Sequence, residues 1–354
     1  MANIKKLKEN TVKLVKLEDV CYNGSSSLSQ KDIIMLEGKY PVYGASGLIK
    51  YINFYKYDKE YIAIVKDGAG IGRTMILPAN SSVISTLQYI FPKENINIRY
   101  LYYALNAMDL SKYYSGVTIP HIYFKDYKKE ELYLPIIDEQ INIVNKLDKI
   151  REIIDIRKKQ IEELDEIIKS QFVEMFGDIK SNDKNWKTKN GSELFIFSSG
   201  KSNKTSNLSS NFEYKCYGGN GITGLSKDYL IDYDTIVIGR VGAYCGSVHT
   251  TEGKVWITDN AIYIKEFKED YNIKFLKELF EVIDFHRFAN FSGQPKITQQ
   301  PLQNYSYILP PIELQNQFAD VVKQIDKQKF EIQKSLEEMQ KLQESLMNKY
   351  FGEY

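Results

Sequence analysis

Histidine and cysteine are scarce in this chain of 354 residues, with three of each. His121, His249 and His286 lie far apart, and Cys21, Cys216 and Cys245 lack metal-site spacing. Neither a metal cluster nor a Ser-His-Asp arrangement is therefore expected. So few thiols, odd in number, point to a reduced, cytoplasmic protein. Long apolar runs are missing too: no stretch approaches about 18 uncharged apolar residues, which argues against a transmembrane helix. Met1–Lys16 is basic but has no apolar segment and no small-residue cleavage site, so it does not read as a signal peptide. Net charge is also lacking, with 47 Lys and Arg against 46 Asp and Glu, so the total gives no argument for nucleic acid. Its distribution is less even. Basic residues lead 18 to 13 over residues 1–137 and 16 to 15 over 178–312, while acidic ones lead 10 to 7 over 138–177 and 7 to 6 over 313–352. A phosphate-facing surface on part of the molecule is thereby permitted, though not established.

Catalytic motifs are absent as well. Gly68-Ala69-Gly70-Ile71-Gly72 follows an apolar run but has neither dinucleotide spacing nor a following Gly-Lys-Ser/Thr, and reads as a tight turn. Asp32 with Glu37-Gly38-Lys39 loosely resembles a nuclease carboxylate–lysine set, but nothing later in the chain reproduces it. Leu309-Pro310-Pro311-Ile312 is the nearest approach to the Asn/Asp-Pro-Pro-aromatic motif of an amino-methyltransferase, and it sits at the start of a helix instead. A non-catalytic chain without a metal or cofactor of its own is expected.

What the sequence does have is a repeat. Leu134-Pro135-Ile136-Ile137-Asp138-Glu139-Gln140 returns as Leu309-Pro310-Pro311-Ile312-Glu313-Leu314-Gln315, and Phe176-Gly177-Asp178 as Phe351-Gly352-Glu353, both 175 residues later. Tyr40-Pro41-Val42-Tyr43-Gly44 parallels Tyr214-Lys215-Cys216-Tyr217-Gly218, and Asn97-Ile98-Arg99-Tyr100-Leu101 parallels Asn272-Ile273-Lys274-Phe275-Leu276. The apolar runs Ile62–Val65 and Thr235–Ile238 lead into glycine-rich turns and read as buried strands. Each copy is thus expected to be a β-rich globular block of α+β type with a small helix. Between the marks, Leu147, Ile154, Ile161, Ile168 and Met175 lie seven apart, as do Phe318, Ile325, Ile332, Met339 and Leu346. Heptads of this kind predict that the two helices pair, and a chain that doubles back makes the pairing antiparallel. The expected division is residues 1–137 and 178–312 for the globular blocks, and 138–177 and 313–354 for the spacer helices.

The loops carry groups suited to nucleic acid. In the first block these are Tyr43, Ser46, Lys66, Asp67, Arg73, His121, Lys125 and Lys128. In the second they are Lys201, Lys204, Tyr217, Asn220, Arg240, Tyr244, Gln294, Lys296, Gln299 and Gln300. Arg pairs bidentately with guanine and Asn or Gln with adenine, while Lys and Ser hold phosphates. Tyr43 and Tyr217 have the alternative of being core residues.

Together, the two Leu-Pro-(Ile/Pro)-Ile-(Asp/Glu)-x-Gln elements, the heptad helices, the Phe-Gly-(Asp/Glu) ends and the repeated Tyr-Gly and Asn-Ile segments give a chain that resembles the specificity subunit of type I restriction-modification systems. The resemblance spans nearly the whole chain. It implies two target recognition domains, each reading one half of a bipartite site in double-stranded DNA, held apart by an antiparallel helix pair. It also implies two modification subunits that bind S-adenosylmethionine and methylate adenine. Whether restriction subunits join them, bringing ATP and magnesium, stays open. The unlike loops of the two blocks imply an asymmetric target. The residues leave two other readings standing: a specificity subunit of a methyltransferase-only or type II-like system, and a coiled-coil scaffold that binds protein rather than DNA.

Overall fold

A computed structural model describes residues 13–116, 120–204 and 207–352. The first twelve residues, and Glu353 of the second Phe-Gly-(Asp/Glu) mark, lie outside that set. The contacts divide the chain into two units. One is Met1–Lys158 with Ser335–Tyr354, the other Lys159–Lys334, so each long helix begins in one unit and ends in the other.

In the first unit the strands are β1 (Lys13–Lys16), β2 (Cys21–Ser25), β3 (Tyr40–Gly44), β4 (Gly47–Ile52), β5 (Tyr61–Val65), β6 (Thr74–Leu77), β7 (Ser82–Val83), β8 (Leu87–Pro92) and β9 (Glu131–Leu134). They form a β2-β8-β5-β6 sheet, a β4-β3-β7 sheet and a β1-β9 ribbon. The second unit has β10 (Thr188–Asn190), β11 (Phe195–Ser199), β12 (Tyr214–Gly218), β13 (Gly221–Ser226), β14 (Ile236–Gly239), β15 (Val248–Thr250), β16 (Val255–Ile257), β17 (Ala261–Phe267) and β18 (Ser306–Ile308). Its sheets are β11-β17-β14-β15, β13-β12-β16 and β10-β18, the same order strand for strand. Even the irregularities recur, with the register slipping between Val42 and Tyr43 and again between Cys216 and Tyr217.

Burial on both faces explains why β5 reads as an unbroken apolar run. Ile62 and Ile64 face one core with the small helix Ile98–Ala107, while Tyr61, Ala63 and Val65 face another with the three-stranded sheet. A strand that separates two cores has no solvent side to mark with polar residues. In β14, Ile236 and Ile238 face one core and Val237 the other.

The long helices are Ile137–Phe176 and Ile312–Phe351. In the first unit the end of the second helix, through Leu346, Met347, Tyr350 and Phe351, packs on the core that holds Ile143, Val144 and Leu147. In the second unit Phe172 and Phe176, from the end of the first helix, meet Phe318 near the start of the second. The pairing inside each unit is therefore antiparallel. Of the heptad positions, Leu147, Ile154, Ile168, Phe318 and Ile325 are buried and Ile161, Met175, Ile332, Met339 and Leu346 half-buried, so the heptads mark the covered face.

The repeated glutamine has a specific task. Gln140 and Gln315 are fully buried. Gln140 Oε1 accepts from the Asn97 N–H at 2.8 Å, and its Nε2 donates to the carbonyls of Pro135 (2.9 Å) and Asn95 (3.1 Å). Gln315 accepts from Asn272 N–H at 3.0 Å and donates to Pro310 at 2.9 Å. Asn97 and Asn272 themselves cap the small helices Ile98–Ala107 and Ile273–Ile283. Each glutamine thus ties the capped start of the small helix to the first turn of the long one. The far ends are tied by aromatic contacts, Phe351 against Tyr100 at 5.0 Å and Phe176 against Phe275 at 4.6 Å.

Replacing Gln140 or Gln315 with Leu keeps most of the volume but strands buried backbone groups. Each change is expected to lower stability by about 1–3 kcal/mol, read from urea unfolding midpoints. A second outcome concerns Glu278, on the small helix of the second unit beside Lys277 and Glu281. Burial pushes its carboxyl up to about 7, Glu281 adding to the shift and Lys277 opposing it. The folded chain then holds this proton more tightly than the unfolded chain, so stability falls as pH rises from the ordinary 4.5 towards 7. Glu278→Gln removes that decline: the variant should be the more stable protein at pH 8 and lose its advantage at pH 4.

Candidate nucleic-acid interface

In each unit a glycine-rich hairpin projects from the end of the strand buried on both faces. The first is closed by Val65 N–H to Arg73 O (2.9 Å) and Gly72 N–H to Val65 O (2.9 Å), with inner turns from Ile71 to Gly68 and from Arg73 to Gly70. The second repeats every one of these bonds, from Gly239 to Ser247, Gly246 to Gly239, Cys245 to Gly242 and Ser247 to Tyr244. The glycines are required where φ is positive: Gly68 (+92°) and Gly72 (+83°), then Gly242 (+87°) and Gly246 (+94°).

Two further segments brace each hairpin. Lys66 N–H donates to Thr86 O and Arg240 N–H to Asn260 O, both at 2.9 Å. Gly68 N–H donates to Pro120 O at 3.0 Å and Gly242 N–H to Pro295 O at 2.9 Å. Ile122 N–H reaches Lys66 O and Ile297 N–H reaches Arg240 O, both at 2.9 Å. The outer segments close on themselves through Ser115 with His121 and Asn290 with Lys296. In the second unit the β12–β13 turn joins in, since Ser247 Oγ donates to Gly219 O at 2.7 Å.

This frame gathers many of the residues singled out from the sequence. Lys66, Asp67, Arg73 and His121 stand on it in the first unit, and Arg240, Tyr244, Gln294 and Lys296 in the second. Asn220 is exposed on the turn beside the second hairpin, and Ser46 is exposed on the matching β3–β4 turn. Lys125 and Lys128 line a neighbouring cleft of about 510 Å³ with Lys66, Glu18 and Asn23, where Lys128 pairs with Glu18 at 2.6 Å. Lys201 and Lys204 are exposed on the segment after β11, and Gln300 is exposed on the helix Gln299–Asn304.

Tyr217 takes the core alternative that the sequence left open, and Gln299, expected to face a ligand, is better explained as part of the scaffold. Tyr217 is 6% exposed and belongs to the core with Val237, Val255 and Ile257, so its ring is not offered to a ligand. Its counterpart Tyr43 is half-buried against the corresponding core. Gln299, with its amide oriented to satisfy both partners, donates to Phe197 O (3.1 Å) and accepts from Ser199 N–H (3.2 Å), which commits it to the edge of β11.

Tyr123 and Phe291 were not among the residues expected at the interface. Tyr123, 44% exposed, stacks on His121 and carries Lys125 over its face at 5.4 Å. Phe291, 58% exposed, sits in the outer loop of the second unit against His286. Each lies close to a loop glycine or proline, the one signal that could have separated it from the many core aromatics. Elsewhere, burial pushes the Cys21 thiol up to about 12, which makes it a poor nucleophile. Among the described residues no His, Cys, Asp and Glu cluster could hold a metal ion, and no helix is long and apolar enough to cross a membrane.

A family profile described as the type I restriction modification DNA specificity domain matches residues 9–166 and again 183–342. The chain belongs to this family. Each matched stretch takes in one globular block and much of the long helix after it, so the specificity domain repeat is the repeat seen in the strands. The type I restriction enzyme EcoprrI specificity subunit of Escherichia coli is 31% identical over 113 residues, which is 32% of this chain and 28% of that relative's length. The type I restriction-modification S subunit from M. genitalium is 18% identical, with a TM-score of 0.70 and 98% of each chain covered. A chain from a structure on complex assembly and conformational transition of the type I R-M system is 15% identical, with a TM-score of 0.55, 97% of this chain and 98% of that one covered. At these identities the two structures speak for the fold, a specificity-subunit architecture with two domains.

The hairpin glycines give a direct check on the frame. A Cβ on Gly246 would run into the backbone of His286, whereas one on Gly68 meets open space. Gly246→Ala should therefore destabilise by about 1–3 kcal/mol beyond the roughly 1 kcal/mol of left-handed strain expected for Gly68→Ala, compared by thermal unfolding of the two variants.

Proposed function

We propose that this chain is the DNA-reading subunit of a type I restriction-modification assembly, and that each unit reads one half of an asymmetric bipartite site. The observation that carries the reading is the braced glycine-rich frame. It is built twice with the same backbone bonds and furnished with different side chains: Lys66, Asp67, Arg73 and His121 in one copy, Arg240, Tyr244, Gln294 and Lys296 in the other. A rigid frame with unlike polar tips suits two different short sequences, because phosphate contacts fix the register and base-edge contacts select. The long helices, 40 residues each, span on the order of 60 Å and would set the gap between the half-sites.

In this reading the chain supplies address and assembly, and chemistry resides in its partners. Two modification subunits carrying S-adenosylmethionine would methylate adenine, and restriction subunits using ATP and magnesium would be a further layer. The same chain could serve an assembly that only methylates.

Two measurements test the proposal. Binding of duplex DNA should fall steeply with salt, because each phosphate contact releases condensed counterions. A duplex affinity that does not depend on salt would contradict DNA recognition. Inserting one heptad into both long helices should add about 10 Å, or roughly three base pairs, to the gap while leaving both half-sites unchanged.

A further inference from the structure

The two frames differ most at one backbone bridge. Asp67 faces His121 across it in the first unit, and Val241 faces Lys296 in the second. Asp67 Oδ1 lies 2.7 Å from His121 Nδ1, and Lys66 Nζ stands 3.8 Å from Oδ2. An ionised carboxylate only accepts, so the ring donates through Nδ1, and a basic neighbour orients each carboxylate oxygen. The Asp67 side chain is 23% exposed, held in place yet open to a ligand. The fold does not need this pair: the second unit keeps the same bridge, the same bracing bonds and the same glycine turns with Val241 in place of the carboxylate. Asp67 therefore adds chemistry to the first frame rather than stability to both.

A fixed acceptor on a DNA-facing loop selects for a base that offers a donor. In the major groove cytosine presents its N4 amino group, whereas adenine sets an N7 acceptor beside its N6 amino group, and a carboxylate is repelled there. The guanine paired with that cytosine offers O6 and N7, acceptors that suit the adjacent Lys66 ammonium. We propose that Asp67, positioned by His121 and Lys66, is a specificity-determining residue of the first unit that accepts a hydrogen bond from the N4 amino group of a cytosine, an assignment that rests on the loops being DNA readers. The second unit makes no such demand at the equivalent position.

The test is selection from randomised duplexes by the full chain, as wild type and as Asp67→Asn. The wild type should require a C·G pair at one position of one half-site. The variant should lose that preference by on the order of tenfold or more, with every other position unchanged. A variant that keeps the wild-type preference, or weakens on all sequences by one common factor, overturns the assignment. Should Asp67→Asn fail to fold, the wild type alone decides the matter. A duplex carrying pyrimidin-2-one, which lacks the amino group, in place of that cytosine should bind about tenfold more weakly, and equal binding overturns the assignment. A wild type that enriches no sequence at all removes the DNA-reading proposal itself, a result distinct from either.

Discussion

Each half of this protein depends on a buried carboxamide. Gln140 and Gln315 fasten the first turn of a long helix to the capped start of a small one, and the small helix lies on the core beneath the central sheet. A fully buried amide that both accepts from and donates to backbone groups has one low-energy arrangement, and departure from it strands those groups away from water. The direction of the long helix is thereby fixed relative to the sheet. The glycine-rich hairpin grows from that same sheet, so the loops and the spacer share one rigid foundation. A reader joined to its spacer by a slack linker could not define a spacing between half-sites.

Above that joint, the strand buried on both faces separates structure from function. β5 and β14 take apolar contacts from two cores and end where the frame begins. The frame is held by backbone bonds and by glycines with positive φ, so side chains at its tips are free to differ between copies. The two units exploit that freedom in opposite ways. One sets a carboxylate between two basic groups, and the other offers an apolar residue beside cations. A duplication that keeps its bracing can diverge in what it recognises without relearning how to fold.

Much of this is legible in the sequence, and the gaps have physical causes. The repeat, the heptads and the glycine turns are periodic or compositional signals, and the strands and helices follow them. The role of Gln140 and Gln315 is hidden because a glutamine near a helix start looks like solvated surface, and only the fold brings Asn97 and Asn272, each 43 residues earlier, within reach. Gln299 misleads in the same way, since its polar atoms suggest a surface role whereas its amide caps a strand edge, and only the fold decides that Tyr217 fills a core. Tyr123 and Phe291 escape notice because, among 27 tyrosines and 17 phenylalanines, only a nearby loop proline or glycine sets them apart. The Asp67–His121 pair spans 54 residues and cannot be read from spacing.

The central claim is that two unlike readers on one chain address two separated stretches of a single duplex. A hydroxyl-radical footprint of the full chain on its selected duplex tests this most directly. Two protected patches of different sequence are expected, with an unprotected gap of constant length between them. A single continuous patch, or two patches of the same sequence, would contradict the claim.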